Sequence, residues 1–470
     1  MIHYAGHVVT LAQMLRSRYN ERLISMTSES TPGQRSAHSA TQGDLPENKI
    51  WKVALAGFGT VGRSVAKILV ERSGAPVRLT HVCNRNVERK KVDWLPSDVI
   101  WTDNIDDVLA SDVDIVVEVI GGVLPTEDFV RRALASGKSV VTANKQLIAH
   151  CGPELMGMAR RLNQHIEFGA SVAGGVPVIS GLHQGLAGDD LFKICGILNG
   201  TCNYILTQIE SNGVPFTTAL REAQKLGFAE ADPTEDIDGL DARAKLSILT
   251  RVGLHCDVAA PSILAKSISP VDAVDFEYAR QLDCTIRQIA RAELKGDMLY
   301  AAVQPSLVPL SSPLARVERS QNLVIATGTY GGETVFGGHG AGGHPTAVAV
   351  VSDILAIVQA KQSHDTRPSA ASQKSQPVQK SPTVTSNFTT RHYLRFLVKD
   401  RPGIIASLAS ILAKSGINID AVLQKPGCPK SHLPFLITLE ECETALVDQA
   451  LKQINALDFM AHPCLHMPIL

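Results

Sequence analysis

A glycine motif set between an apolar strand and a helix constrains the fold of this chain more than any other feature. Residues 52–57 (KVALAG) run into GFGTVG, and apolar residues then recur at helical spacing. Gly57 permits a tight turn, Gly59 lets the backbone approach a pyrophosphate, and Gly62 lets the helix pack closely on the strand. The free N–H groups at the start of the helix suit a phosphate, although an ordinary glycine turn is the alternative. The predicted dinucleotide contacts here are Gly57, Phe58, Gly59, Thr60, Val61 and Gly62.

The residues that follow the second predicted strand indicate which dinucleotide is bound. This strand is expected at residues 78–83 and is followed by Asn84, Arg85 and Asn86. A site selective for NAD usually has an acidic residue here for the ribose 2′-hydroxyl, whereas arginine can pair with a 2′-phosphate. The sequence therefore favours NADP with Arg85 as a contact, and NAD is the alternative if Arg85 is a solvated residue beyond the strand.

Three globular units are expected along the chain. Strands alternate with helices over residues 50–177, which predicts an α/β fold of the Rossmann type with a parallel sheet, completed by residues 326–360. Residues 178–325 mix longer helical patterns with strands and predict an α+β substrate and dimerisation domain. Residues 389–470 read βαββα with a final strand, the ferredoxin-like order.

Two segments have a composition that cannot support a core. Residues 361–388 are rich in Ser, Gln and Pro, so we expect a flexible linker there. We expect residues 1–49 to be a disordered extension. Arginines among apolar residues at 1–25 could indicate a transit peptide, but Glu21 and a second methionine at Met26 favour a dispensable leader.

Charge and cysteine usage exclude several classes of function. Lys and Arg total 45 against 46 Asp and Glu, so no net field draws in a nucleic acid or an anionic membrane. No apolar run reaches the roughly 18 residues needed to span a bilayer. The 9 cysteines are scattered without a CxxC pair, which argues against a secreted disulfide framework. We therefore expect a cytoplasmic protein with small-molecule partners.

A series of further motifs carries a family resemblance. They are TANK (142–145), ASVAGGVP (170–177), LNGTCNY (198–204), GFAEADPTEDIDGLDARAK (227–245) and HGAGGHPTA (339–347). With GFGTVG, and in this order, they resemble the homoserine dehydrogenase family over nearly all of residues 52–360. The resemblance implies reversible, NAD(P)-dependent reduction of aspartate semialdehyde to homoserine, on the route to threonine, methionine and isoleucine.

The chemistry of such a reduction points to a lysine beside an aspartate. An aldehyde needs a hydride at carbon and a proton at the developing alkoxide. Asp241 and Lys245 are four residues apart in a helical pattern, so they share one face, either as a surface ion pair or as a catalytic pair. Lys145 follows a predicted strand at the carboxyl end of the parallel sheet, where ligands of such folds collect. The resemblance implies that Lys245 is the proton donor and that Lys145 contacts cofactor and substrate.

Other site residues are implied by the same motifs. Glu230 lies in a loop rich in Gly, Ala and Asp, and we expect it to be a buried carboxylate that binds the α-ammonium group of the substrate. Gly340 lies where small residues let the backbone approach the nicotinamide. The remaining candidates for substrate are Asn199, Gly200 and Thr201, which could alternatively be only a turn, and Asp236; Gly227 is the candidate for cofactor.

A monovalent cation site is also implied, but one ligand is absent. Members of the family often bind Na⁺ or K⁺ through backbone carbonyls that match Val172, Gly174 and Val176, together with a carboxylate that falls at Gly169 here. Gly169 cannot supply that ligand. Glu167 would point to the opposite face of a strand and is an uncertain substitute.

The C-terminal unit resembles an ACT domain, a module that usually senses amino acids. The matching stretch is KDRPGIIASLASILAKSGINI (399–419), in which Asp400 can cap the following helix and leave N–H groups for an amino-acid carboxylate. ACT domains usually pair, so the resemblance implies a homodimer or homotetramer with threonine as effector; a dimerisation module without ligand is the alternative. Another NADP-dependent aldehyde or amino-acid dehydrogenase, or a non-catalytic sensor, fits less well because Lys245 and Glu230 are both present.

Overall fold

The computed structural model describes residues 49–72, 74–362, 382–425 and 429–470. The expected extension at 1–49 therefore lies outside the described residues except for Lys49. Within the described residues the chain contains two sheets, one of six strands and one of 11.

The first sheet is the core of the nucleotide-binding domain. Its strands run parallel in the order β3-β2-β1-β4-β5-β6, and β4 and β5 are buried along their whole length, as strands covered on both faces must be. The domain comprises β1 (Trp51–Ala56), α1 (Thr60–Glu71), β2 (Val77–Cys83), α2 (Val87–Lys90), β3 (Ile100–Thr102), α3 (Ile105–Ala110), β4 (Ile115–Glu118), α4 (Thr126–Ala135), β5 (Ser139–Thr142), α5 (Lys145–Arg161) and β6 (Ile166–Glu167). This confirms the predicted Rossmann-type sheet.

The second sheet begins in the catalytic domain, where helices pack against it. Its longest pair is the antiparallel hairpin β9–β10, which reverses at Gly296. The domain comprises α6 (Val178–Ser180), β7 (Leu191–Ile197), α7 (Gly200–Asn212), α8 (Phe216–Lys225), α9 (Thr234–Ile237), α10 (Leu240–Gly253), β8 (Leu264–Ala265), α11 (Ala273–Gln281), β9 (Cys284–Lys295), β10 (Met298–Pro309), β11 (Gln321–Gly328) and β12 (Gly332–His339). The predicted α+β character is confirmed.

A long helix, α12 (Gly343–Gln362), returns the chain to the nucleotide-binding domain. Ala347, Val350 and Ile354 on this helix are fully buried in the same cluster as β1. By length and composition α12 is apolar enough to cross a membrane, although the sequence analysis found no apolar run of that length. Its buried residues make it a core helix of this domain. The expected completing segment 326–360 is thus corrected, because β11 and β12 pair within the second sheet and only residues from Gly343 join this domain.

The ACT domain follows a short strand, β13 (Thr383–Thr385), which pairs with β10. The expected flexible linker 361–388 is therefore wrong at both ends, since Lys361 lies in the last turn of α12 and Phe388 is buried; residues 363–381 lie outside the described residues. The domain comprises β14 (Thr389–Val398), α13 (Ile404–Lys414), β15 (Ile419–Gln424), β16 (Leu433–Glu443), α14 (Thr444–Ile454) and β17 (Leu465–Ile469). This confirms the predicted ferredoxin-like order.

One strand joins the ACT and catalytic domains into a continuous sheet. β17 lies between β10 of the catalytic domain and β14 of the ACT domain. A buried ion pair supports this junction, because Arg395 Nε on β14 lies 2.6 Å from Asp275 Oδ1 on α11, and Tyr393 Oη donates to the same oxygen at 2.6 Å. The C-terminal domain is therefore built onto the sheet of the preceding domain.

Candidate active site

The two predicted lysines converge on one carboxylate. Asp241 lies in the first turn of α10 and Lys245 one turn later, so they share a face, and Lys245 Nζ lies 2.8 Å from Asp241 Oδ2. Lys145, the first residue of α5, brings its Nζ to 2.8 Å from Asp241 Oδ1. Lys245 also donates to the carbonyl oxygen of Leu198 at 2.9 Å. The structure thus brings together all three residues predicted to be catalytic.

Burial and charge distinguish this cluster from a surface ion pair. The Asp241 side chain is 6% exposed and that of Lys245 is 14% exposed. Burial alone raises the pKa of Asp241, but attraction by Lys245 and Lys145 outweighs it and holds that pKa well below its ordinary value. Burial likewise opposes charge on Lys145, yet Asp241 outweighs it and raises the pKa of the lysine. The cluster is therefore ionised, and the surface alternative for Asp241 and Lys245 is wrong.

Asn199 and Asp236 extend the cluster. Asn199 Nδ2 donates to Asp236 Oδ1 at 2.6 Å and to Asp241 Oδ2 at 2.9 Å. Gly200 and Thr201 begin α7 beside this amide, and Thr201 Oγ1 donates to the carbonyl oxygen of Phe228. Asn199 was expected near the substrate, or only in a turn, together with Gly200 and Thr201; its contacts with both aspartates were not predicted.

Glu230 does not lie where we expected it. Its side chain is exposed, in the open loop between α8 and α9, and its backbone carbonyl accepts a hydrogen bond from Gln224. The expectation of a buried carboxylate is wrong because the Gly and Ala residues around it provide no apolar cover. Gly227, at the start of this loop, has a positive φ of 78° and is also exposed.

The glycine turn after β1 has the geometry that close approach requires. A Cβ at Gly62 would lie 2.1 Å from the Gly57 carbonyl oxygen, so helix and turn pack too closely for any side chain. Gly59 is the N-cap of α1, and a Cβ there would meet nothing within 4 Å, which leaves its outer side open to a ligand. The Thr60 and Val61 backbone begins the helix at this point.

The residues flanking the turn divide into buried and exposed groups. The Phe58 ring is fully buried against Trp101, with ring centroids 4.9 Å apart, so Phe58 can offer a ligand only its backbone. Its N–H already donates to Asn84 Oδ1 at 2.9 Å. Asn84 was missed as a residue that holds the turn; its position directly after β2 was the available signal. Arg85 is exposed just beyond the strand.

The HGAGG loop packs against the same turn. A Cβ at Gly343 would lie 2.7 Å from Ser64 Oγ and 3.1 Å from the Thr60 carbonyl oxygen, so the loop backbone lies directly on the first turns of α1. Gly340 is buried, and a Cβ there would overlap Asn322 Oδ1. Small residues are therefore required here, as the sequence predicted.

The segment that matches a cation site is strained and already partly hydrogen-bonded. Gly174 has a φ of 48°, and the Val176 carbonyl oxygen accepts from Val178 N at 2.7 Å. Gly169 N donates to Asp353 Oδ2 at 2.8 Å, and a Cβ at Gly169 would lie 2.8 Å from Asp353 Oδ1. Asp353, which the sequence analysis did not select, thus occupies the space that a side chain at 169 would need.

The ACT domain has a pocket at its first helix. The cavity, about 280 Å³, is lined by residues that include Asp400, Arg401, Gly403 and Phe435. The expected Asp400 cap is wrong, because the N-cap of α13 is Gly403, with a φ of 92°, and no side chain caps the helix. The positive φ of Gly403 starts the helix three residues after Asp400, and the helix end is left open towards the pocket.

The fold and site define a class of protein. The glycine turn after β1 and Lys145 after β5 lie at carboxyl ends of strands in one parallel sheet, and Lys145 shares the Asp241 carboxylate with Lys245; these are the parts of a nicotinamide-dependent oxidoreductase. Family models agree with each unit. The model described as Homoserine dehydrogenase, NAD binding domain matches residues 57–169, Homoserine dehydrogenase matches 177–355, and ACT domain matches 392–459.

Curated relatives identify the family. Homoserine dehydrogenase of Bacillus subtilis is 39% identical over 80% of this chain and 88% of its own length. That of Neisseria gonorrhoeae is 35% identical over 87% of this chain and 96% of its own length. The chain belongs to the homoserine dehydrogenase family, in a form with a C-terminal ACT domain.

Solved structures show the same architecture. A homoserine dehydrogenase from Thiobacillus denitrificans superposes with a TM-score of 0.82 at 33% identity, covering 89% of this chain and 98% of that one. A hyperthermophilic archaeal homoserine dehydrogenase in complex with NADPH superposes with a TM-score of 0.57 at 29% identity, covering 66% of this chain and 98% of that one. A pyridine nucleotide is therefore the cofactor class of this fold.

Proposed function

We propose that the chain reduces L-aspartate 4-semialdehyde reversibly to L-homoserine, with NADP(H) as its preferred cofactor and Lys245 as proton donor. The observation that carries this proposal is the placement of the Lys245 ammonium, buried and held by Asp241 and the Leu198 carbonyl. An ammonium has three N–H groups, and these two acceptors use two of them. The third is left to donate to a substrate carbonyl.

The chain's own residues then serve the reduction in distinct ways. A bound dihydronicotinamide would supply the hydride. Lys245 donates its proton to the substrate carbonyl oxygen as negative charge develops there, so no free alkoxide forms in the site. Asp241 keeps the ammonium charged and aimed, and Lys145, sharing the same carboxylate, lies where it can contact cofactor and substrate together.

The substrate carries an α-ammonium and an α-carboxylate, so its binding needs protein groups of both signs. Gly200 and Thr201 offer the N-terminal N–H groups of α7 to the α-carboxylate, and Asp236 provides a carboxylate nearby. We propose that Glu230 reaches the α-ammonium from the open side of the site, since its side chain is exposed.

Cofactor preference rests on Arg85. Its exposed guanidinium beyond β2 can pair with a 2′-phosphate, and the chain has no acidic side chain at this position to favour a 2′-hydroxyl. Gly227 and Gly340 are proposed to approach the nucleotide through backbone alone, as their lack of side chains permits. NAD is retained as the second choice of cofactor.

A Na⁺ or K⁺ ion would suit the segment around Gly169. Backbone carbonyls of Val172, Gly174 and Val176 are the proposed ligands, and Asp353 is a carboxylate at the place that Gly169 leaves vacant. Burial, then repulsion by Glu167, raises the pKa of Asp353 well above its ordinary value. A monovalent cation would relieve that repulsion, so the charges of this region fit one.

Regulation by threonine is proposed for the ACT pocket beside Gly403. The open N-terminus of α13 suits a carboxylate, and the cavity of about 280 Å³ suits a small amino acid. We further propose assembly as a homodimer or homotetramer, through paired ACT domains, and a cytoplasmic location, in which the described cysteines stay as free thiols.

Oxidation of NADPH by the purified protein tests the central proposal. With aspartate semialdehyde as substrate, NADPH should be used in preference to NADH, and Lys245→Ala should lower turnover about 10²- to 10⁴-fold. Lys225→Ala, on the exposed end of α8, is the matched control and should keep wild-type turnover. Wild-type turnover in Lys245→Ala would reject Lys245 as the proton donor.

A further inference from the structure

Asn199 is the residue that ties the two carboxylates of the site to each other. It is 4% exposed and sits at the junction of β7 and α7, as the N-cap of that helix. Its Nδ2 is 2.6 Å from Asp236 Oδ1 and 2.9 Å from Asp241 Oδ2. The two hydrogens of one amide therefore satisfy two acidic side chains at once.

The orientation of this amide is fixed by the helix that it caps. Asn199 Oδ1 accepts from the backbone N–H of Cys202 at 2.8 Å. An N–H can pair only with the oxygen of the amide, so the nitrogen must face the carboxylates. The amide oxygen of Asn199 thus caps the helix, and the amide nitrogen donates both bonds to the carboxylates. A substitution can therefore remove the donated bonds and keep the cap.

The two hydrogen bonds that Asn199 donates affect the ionisation of the carboxylates beside it. Burial raises the pKa of Asp236, the bond from Asn199 works against that, and the negative charge of Asp241 adds to the increase. Donation from Asn199 therefore favours the ionised form of Asp236. Two carboxylates then balance Lys145 and Lys245 across the site.

We propose that Asn199 is a positioning residue for the reduction: it holds the Asp236 and Asp241 carboxylates in place, and through Asp241 it sets the direction of the Lys245 ammonium. This inference rests on the proposed role of Lys245. Asn199 does not touch the reacting carbonyl in this scheme. Its effect reaches the reaction through the counter-ion of the proton donor.

Two variants that keep the helix cap separate positioning from folding. Serine and aspartate both cap helices well, so Asn199→Ser and Asn199→Asp should retain α7 while losing the donated hydrogen bonds. In Asn199→Ser the carboxylates lose hydrogen bonds that favour their ionised forms, so the acidic limb of the kcat profile moves to higher pH. In Asn199→Asp the added negative charge also disfavours ionisation of its neighbours and moves that limb further to higher pH.

The test is the pH dependence of kcat for aldehyde reduction by the full chain. We expect the acidic limb to move to higher pH in both variants, on the order of one pH unit in Asn199→Asp and less in Asn199→Ser, with a fall in kcat of about tenfold or more in both. Asn104→Asp is the matched control, because Asn104 also caps a helix, α3, and also donates to an aspartate, Asp107, but does so at the exposed surface. Its profile should match wild type.

The outcomes are distinguishable from those of the proposed function. If Lys245→Ala loses activity while both Asn199 variants keep the wild-type pH profile, Lys245 stands as donor and the role given to Asn199 is overturned. If both variants lose activity with unmoved profiles, Asn199 is structural only, and the inference again fails. Activity retained in Lys245→Ala overturns both.

Discussion

Lys145 Nζ lies 2.8 Å from Asp241 Oδ1, so an ion pair joins the first residue of α5 in the nucleotide-binding domain to the first turn of α10 in the catalytic domain. The same aspartate binds Lys245. The carboxylate is therefore the point at which the nucleotide-binding domain and Lys245 are held in register.

Replacement of Asp241 by asparagine should damage both activity and stability. The variant leaves two ammonium groups without their shared counter-ion, and breaking a buried pair costs on the order of 3 kcal/mol. We expect kcat to fall about 10²-fold or more, with a lower urea midpoint. Asp257→Asn, which breaks the more exposed pair with Arg251, should leave kcat unchanged. Wild-type kcat in Asp241→Asn would contradict the role of the cluster.

The glycine turn offers a paired test of folding against ligand approach. Gly62→Ala would place a Cβ 2.1 Å from the Gly57 carbonyl oxygen, so we expect a clear loss of thermal stability. Gly59→Ala meets nothing within 4 Å, so its melting temperature should stay within a few degrees of wild type. If the pyrophosphate lies on this residue, the dissociation constant of NADPH, measured by calorimetry, should nevertheless rise about tenfold or more. Unchanged affinity would place the pyrophosphate elsewhere.

The Asp353 carboxyl should make the protein less stable as pH rises. Its folded-state pKa is raised by burial and then by Glu167, so the native state holds a proton that the unfolded chain releases near pH 4. The contribution of this group is therefore present below about pH 4 and is lost with increasing pH. Asp353→Asn should gain free energy of unfolding over wild type between pH 5 and pH 8. The exposed Asp93→Asn should show no such gain, and parallel curves for Asp353→Asn and wild type would contradict this account.

Buried histidines of the ACT domain should make it sensitive to acid. His392 Nδ1 lies 3.0 Å from His466 Nε2, and burial, reinforced by His466, lowers the pKa of His392 to about 4. The unfolded chain binds this proton near pH 6.5, so stability is present above that pH and is lost as pH falls towards 4. Urea unfolding should show a loss of about 2 kcal/mol between pH 7 and pH 5 from this group. His392→Gln should reduce that loss, and an equal loss in both proteins would count against it.

Sequence reasoning reached those parts of the site that local spacing encodes. The context of GFGTVG predicts the strand, turn and helix, and the four-residue spacing of Asp241 and Lys245 predicts their shared face. The contact of Lys145 with Asp241 depends on how two domains meet, so no local pattern contains it. Only the family resemblance placed both lysines in one site.

The predictions for Glu230 and Asp400 failed because they depended on side-chain exposure and on the exact residue at which a helix starts. Glu230 was expected to be buried, but burial depends on what covers a loop, and the loop sequence does not state that. Asp400 was expected to cap a helix that starts after Gly403, whose positive φ replaces the capping side chain. Asn84 was missed, and the contacts of Asn199 with the two aspartates were not predicted, because both amides bind groups brought near by the fold.

The position of β17 has a consequence for engineering. Its five residues cover the edge of β14 and reach β10, so they belong to two modules at once. A protein cut before Leu465 would leave β14 with a bare row of backbone donors and acceptors, and such rows recruit strands from other chains. The ACT domain of this enzyme therefore cannot be exchanged as an independent unit; a grafted domain must carry its own replacement for that strand, or the product should aggregate.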